Sequence, residues 1–130
     1  MGDLLQRGMA WLEAKRTKHM TQQVTYQRGG ETVQVLATIG KTMFQIDDGA
    51  GALLRVESRD YLILAADLLL GGNPILPKRG DRIRETTGNQ VYIYEVVGPG
   101  DGGGEPCWRW SDGYRQTLRI FTKQIDMETL

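Results

Sequence analysis

Cysteine and histidine are almost missing from this sequence, which has one of each, Cys107 and His19. A lone cysteine excludes an internal disulfide and fits folding in a reducing cytoplasm. A zinc site would have to be completed by several carboxylates, and no metal-ligand spacing is present, so neither metal nor cofactor is expected. A Cys–His nucleophilic pair has no local motif around either residue, so no catalytic residue is assigned. Net charge is also missing: sixteen basic residues cancel sixteen acidic ones. There is therefore no bulk electrostatic attraction for free nucleic acid or for an anionic membrane. Long apolar runs are absent too. The longest, Tyr61–Leu70, contains Asp67 and falls well short of the roughly 20 residues that span a bilayer. With no signal-peptide pattern either, the expectation is a soluble chain that is not exported and touches no membrane. No Gly-rich loop ends in Lys-Ser/Thr, which excludes a P-loop. Gly98-x-Gly100-x-x-Gly103 matches a dinucleotide fingerprint in spacing, but Gly104-Glu105-Pro106 and a Trp-rich segment follow where a helix would have to begin.

What is present reads mainly as β-structure. Val91-Tyr92-Ile93-Tyr94-Glu95-Val96-Val97 is rich in the β-branched and aromatic residues that fit a pleated surface. Both of its faces are apolar, so it is either central in a two-layer structure or has its second face covered by another element or subunit. Gly88-Asn89 joins it to a strand at Arg82–Glu85, and Pro77-Lys78-Arg79-Gly80-Asp81 turns the chain into that strand. Upstream, Gly29-Gly30 marks a hairpin between Val24–Arg28 and Glu31–Ile39. Further strands are expected at Lys41–Ile46, Leu53–Glu57 and about Thr117–Ile125, an apolar strand begins near Asp60, and a short helical turn is expected at Ala65–Leu68. The one convincing helix starts at Asp3 as N-cap and reaches about Lys18, with Leu5, Met9 and Leu12 at i, i+4 and i+7 and Trp11 beside them. The fold class is therefore a small β-barrel or sandwich of six to eight short strands with an N-terminal helix and Gly-rich loops. One domain is expected over residues 21–130, with residues 1–20 packed on it or serving as an arm that docks on a neighbouring subunit.

Two segments invite a functional reading. Trp108, Trp110 and Tyr114 with Arg109 and Arg115 form an aromatic and basic cluster. It suits base stacking on an OB-like barrel, a subunit interface, or anchorage of the Gly-rich loop Gly98–Pro106 to the core, and anchorage is the more ordinary use of paired tryptophans. Asp47-Asp48-Gly49 sits on a small-residue loop tip. Paired acids such as Glu57 with Asp60 are expected to be solvated or to serve as caps.

A wider pattern now emerges. Leu4–Leu12 with Trp-Leu, Val24–Gly29, Arg55–Ile63 (Arg-Val-Glu-Ser-Arg-Asp-Tyr-Leu-Ile), Pro77–Ile83, Tyr94–Val96 and Trp108–Ile120 together resemble the small head–tail connector or head-completion proteins of long-tailed bacteriophages and prophages. The resemblance covers most of the chain and carries no catalytic residue. It implies a six- or twelve-fold homo-oligomeric ring in the virion, assembled in the bacterial host cytoplasm. That ring would sit between a portal or adaptor protein and the tail tube or terminator, and double-stranded DNA would pass through it. On that reading the helix residues Leu5, Met9, Trp11 and Leu12 and the segment residues Trp108, Arg109, Trp110 and Tyr114 are expected at interfaces, and Asp47, Asp48 and Gly49 in the channel. A tail terminator or minor tail protein, and more distantly a single-strand-binding barrel, are the competing expectations.

Overall fold

The structure is a computed structural model that describes residues 21–47, 49–98 and 106–130, with residues 46, 47 and 54 described by their backbone alone. The predicted helix at Asp3–Lys18 lies outside the described residues. Within them the chain is mainly β, as expected, and forms nine strands. The first two, β1 (Thr21–Arg28) and β2 (Glu31–Asp47), meet at the expected Gly29-Gly30 turn, where Gly29 takes φ of 60°. Next comes β3 (Leu53–Leu64), followed by a single 3-10 turn at Ala65–Asp67. Two short strands, β4 (Leu69–Leu70) and β5 (Asn73–Pro74), pair around Gly71-Gly72. The Pro77–Asp81 corner, with Gly80 at φ of 94°, leads into β6 (Arg82–Thr87), and Gly88-Asn89 leads into β7 (Gln90–Val96). The last strands are β8 (Trp108–Trp110) and β9 (Thr117–Thr129).

Seven strands form one sheet in the order β3-β2-β1-β6-β7-β9-β8, and a further pairing of β3 with β9 closes it. Every pairing is antiparallel. Residues opposite one another in such a ladder share a face, which defines the interior. Val24, Tyr26, Val35, Ala37, Tyr61, Ile63, Ile83, Tyr94, Val96, Leu118 and Ile120 all point inward and are buried. Each large side chain fully removed from water contributes about 1.5–3 kcal/mol, so this set supplies the core. Leu68 and Leu70, from the connection after β3, join the same cluster and cover one end of it.

β7 lies between β6 and β9 and is buried on both faces, Val91 and Ile93 on one and Tyr94 and Val96 on the other. Its doubly apolar pattern was legible for that reason. The expectation of uniformly short strands is corrected: β2, β3 and β9 run 17, 12 and 13 residues. The predicted breaks at Gly40 and Ser58–Asp60 do not exist, and one cluster explains both. Gly40 stands opposite Asp60 in the ladder, and a Cβ at Gly40 would meet Arg119 Nη2 at 3.1 Å. The absent side chain makes room for the guanidinium, so this glycine extends a strand instead of ending it. Ser58 and Asp60, which look like turn residues, are buried and hydrogen-bonded to each other, Ser58 Oγ donating to Asp60 Oδ1 at 2.5 Å.

Candidate assembly surfaces

Three carboxylates are buried, two inside the sheet and one on its outer face, and each is held by an arginine from a different strand. Asp81 accepts a two-pronged contact from Arg28 at 2.8 and 2.9 Å, the Tyr26 hydroxyl, and the Lys78 backbone N–H at 2.9 Å. This fixes the Pro77–Asp81 corner against the end of β1. Across the interior, Glu85 of β6 accepts both its contacts with Arg59 of β3 at 2.7 and 2.9 Å and also the Gln22 amide. The Arg59 guanidinium stacks on the Tyr94 ring at 5.1 Å, and Tyr61 and Tyr94 meet edge to face at 5.7 Å. On the outer face, fully buried Asp60 accepts Arg119 Nε at 2.7 Å together with the hydroxyls of Thr42 and Ser58. Among the described residues no buried side-chain nitrogen or oxygen lacks a partner.

The ionisation directions follow from these contacts. Burial raises the phenols of Tyr26, Tyr61 and Tyr94 above the ordinary 10.0, and Tyr26 rises further through its bond to the Asp81 carboxylate. Hydrogen bonding to Asp81 raises Arg28. For Arg59 burial pulls downward, but the bonds to Glu85 and Tyr61 prevail and the guanidinium rises. Burial also pushes the Cys107 thiol up, the opposite of the shift that activates a nucleophile. Among the described residues Asp60, Asp81 and Glu85 are thus each paired with an arginine. The expectation that Asp60 is solvated or a cap is overturned, whereas Glu57 is exposed beside Lys41 at 3.5 Å. For Arg59 and Glu85 a signal was available: each stands two residues from an inward apolar residue, Tyr61 and Ile83, in an alternating strand.

Two surfaces stand out beyond this interior. Past Gly40, β2 pairs among the described residues only with β3, so Thr42–Asp47 and Leu53–Ser58 leave the closed part of the sheet as a two-stranded ribbon. Six paired positions at about 3.3 Å each give it a reach of roughly 20 Å. Met43, Leu53 and Val56 are exposed on it, and Phe44 meets Phe121 edge-on at 5.4 Å at its base. Asp47 pairs with Leu53 at the end of the ladder, Asp48 lies outside the described residues, and Gly49 follows with φ of 83°. The second surface is β8 and the loop after it. Trp108 and Trp110 stand opposite Ile120 and Leu118, touch each other at 5.2 Å, and pack half-buried on the core. The loop at Gly98–Pro106 that they were expected to anchor lies, from residue 99 to 105, outside the described residues. Arg109 lies on the other face over Phe121 at 5.5 Å, and Tyr114 is 86% exposed at the loop tip. Asp112 holds this loop by accepting the backbone N–H groups of Gln116 and Thr117, which lower its pKa. The structure therefore separates the ribbon tip from the tryptophan segment, at opposite ends of β3 and β9. Leu5, Met9, Trp11 and Leu12 lie outside the described residues. The ribbon's two strands stand where Lys41–Ile46 and Leu53–Glu57 were expected; what sequence reasoning missed is their continuity with the rest of β2 and β3, since Gly40 and the buried Ser58 and Asp60 look like breaks.

Among the described residues no helix is long and apolar enough to cross a membrane, and no three His, Cys, Asp or Glu side chains come together to hold a metal. No curated protein and no solved structure matches the chain. A family model described as phage head-tail joining protein matches residues 2–129. With that match spanning nearly the whole length, the chain belongs to the phage head-tail joining protein family.

Proposed function

We propose that this protein forms a ring at the head–tail junction of a tailed phage, closing or extending the DNA channel below the portal and offering the tail its docking surface. The family establishes the coarser statement, a structural phage protein that joins head and tail. The single observation that carries the finer one is the separation of two exposed surfaces at opposite ends of a closed sheet, the ribbon at one end and the Trp108–Tyr114 segment at the other. A joining protein has to meet different neighbours at once, and such a body offers two separate faces. On this reading Asp47, Asp48 and Gly49 face the channel, where negative charge on a tip avoids attracting every passing phosphate. Arg109, Tyr114 and the half-buried Trp108 and Trp110 lie toward a neighbour, and residues 1–20, with Leu5, Met9, Trp11 and Leu12, serve as a docking arm.

The test is the mass of the purified protein, alone and mixed with portal-bearing, tail-less capsids, by light scattering and electron microscopy. A ring of defined symmetry at the portal vertex is expected. Binding to isolated tail tubes with no binding to capsids would move the protein to the tail and sink the proposal. In the assembled phage, Asp47→Lys with Asp48→Lys is expected to impair DNA retention or ejection, and normal infectivity would remove the tip from the channel.

A further inference from the structure

The ribbon has two unlike faces. β3 and β9 pair from Leu64 opposite Thr117 to Arg59 opposite Thr122 and then fork, so beyond that point Thr42–Asp47 and Leu53–Ser58 stand among the described residues as two strands alone. Lys41 opposite Arg59, Met43 opposite Glu57 and Gln45 opposite Arg55 continue the inward side as a mostly polar face. Phe44 opposite Val56, and then Ile46 opposite Leu54, follow Gly40 and Asp60 along the outer side as an apolar one. Alternation of this kind is the pattern of a sheet with one face covered. Phe121 meets Phe44 at the base of the apolar face, and Val56 stays exposed. A two-stranded ribbon is marginal in water unless another element packs on its apolar face.

Three stretches of the chain lie outside the described residues, and their chemistry separates them. Position 48 is a single aspartate. Residues 99–105 leave from beside Phe121, whose carbonyl accepts the Val97 N–H and whose own N–H donates to the Cys107 carbonyl, but they read Pro-Gly-Asp-Gly-Gly-Gly-Glu and have little to bury. Residues 1–20 carry Leu4, Leu5, Met9, Trp11 and Leu12. They also end in the right place. Thr21 is hydrogen-bonded to Thr38, two residues before Gly40, and β1 runs antiparallel to β2, so the start of β1 points along the ribbon. The lengths agree as well. Counted from Thr21, three extended steps to Lys18 and six helical ones set Leu12 roughly 20 Å out, and six steps of strand from Thr38 set Phe44 at roughly the same distance. Leu5 falls about 10 Å further, where the ladder reaches Ile46 and Asp47.

We propose that residues 3–18 form a helix lying on the outer face of the chain's own ribbon, antiparallel to β2, with the stripe of Leu5, Met9 and Leu12 laid along Phe44 and Val56. Each part completes the other, because an isolated helix of this length is as marginal in water as the bare ribbon. The tether of His19 and Met20 holds the helix at high effective concentration over its own ribbon, which favours that ribbon over the same face of another copy. The inference concerns the free protein and does not rest on a ring. Where the ring reading holds, helix and ribbon reach a neighbour together as one arm.

The full chain carrying Met9→Cys with Val56→Cys is oxidised over a range of protein concentrations, with each single variant and the wild type, with its buried Cys107, as controls. A disulfide within one molecule, in a yield independent of concentration, is expected. Links only between molecules, or none in the folded double variant, overturn the proposal. Amide exchange gives a second reading that needs no new cysteine. Leu12→Asp is expected to lower protection across Lys41–Ser58 by about tenfold or more, while the amides of Tyr26 and Ile63 keep theirs and show that the closed sheet is intact. Arg7→Glu, two positions from Leu5 and so on another side of the helix, is expected to leave the ribbon unchanged. A ribbon indifferent to Leu12→Asp, or equally sensitive to both substitutions, overturns the proposal. Each of these failures leaves the head–tail reading intact, since that reading is tested at the portal vertex and this one in the free protein.

Discussion

The two ends of the closed sheet solve the same problem in opposite ways. At the Gly29-Gly30 end Leu68 and Leu70 cover the core, and Arg28, Tyr26 and Asp81 tie β1 to the Pro77–Asp81 corner. At the other end the Arg59–Glu85 pair closes the interior, and beyond it the strands continue as the ribbon and the outer half of β9, almost wholly exposed. Both ends expose apolar side chains, Leu64, Leu76 and Tyr114 at the first and Met43, Leu53 and Met127 at the second, but only the first ties its backbone and charges together, whereas the second leaves strand edges open among the described residues. Ion pairing that holds the chain is therefore concentrated at one end and open backbone at the other.

The contrast can be broken most severely at Asp81. Asp81→Ala leaves Arg28 and the Tyr26 hydroxyl without their acceptor, and removal of one partner from a buried pair costs about 3 kcal/mol or more. Denaturant titration should show that loss as a lower midpoint, and an unchanged midpoint would mean that the corner is held by backbone alone. A graded loss should come from alkali. The folded-state phenol values of Tyr26, Tyr61 and Tyr94 lie above 10.0, so the unfolded chain loses these protons more readily. Their contribution is fully present below pH 10 and is lost as pH rises through the folded-state values. Thermal melts between pH 8 and 11 should show the decline, and Tyr26→Phe should flatten it. Smaller again is Phe44→Ala, which removes the contact with Phe121 and should cost about 1 kcal/mol. Its sharper readout is amide exchange: protection should fall across Lys41–Ser58 while the amides of Tyr26 and Ile63 keep theirs. Met43→Thr, at an exposed position, should shift stability by no more than about 0.5 kcal/mol. If it costs as much as Phe44→Ala, the ribbon is part of the core and the contrast fails.

What the sequence disclosed and what it hid divide along the same physical line. The turns at Gly29-Gly30 and Gly88-Asn89, the Pro77–Asp81 corner, the short turn near Ala65 and the doubly buried β7 were legible, because each depends on neighbouring residues and their backbone preferences. The continuity of β2 through Gly40 was not, because the space beside this glycine is taken by Arg119, which arrives from the far end of the chain. Nor was the partnership of Asp60 with Arg119 or of Arg59 with Glu85: alternation with Tyr61 and Ile83 puts Arg59 and Glu85 on the inward face, but it does not say which charge each one meets there. The candidate site fared similarly. The tryptophans were recognisable as a pair and their packing on the core was the ordinary expectation, but the fork between β3 and β9 is a property of topology alone.

The packed interior has a consequence for scale. Among the described residues Tyr26, Tyr61, Tyr94 and the Arg59–Glu85 bridge fill the space enclosed by the strands and leave no bore through it. On the ring reading proposed above, a passage wide enough for a double helix would lie between molecules, with a diameter set by how many copies assemble and how each is tilted against the next. On that reading substitutions inside the sheet would alter how long the wall lasts, and substitutions along its edges would alter how wide the hole is.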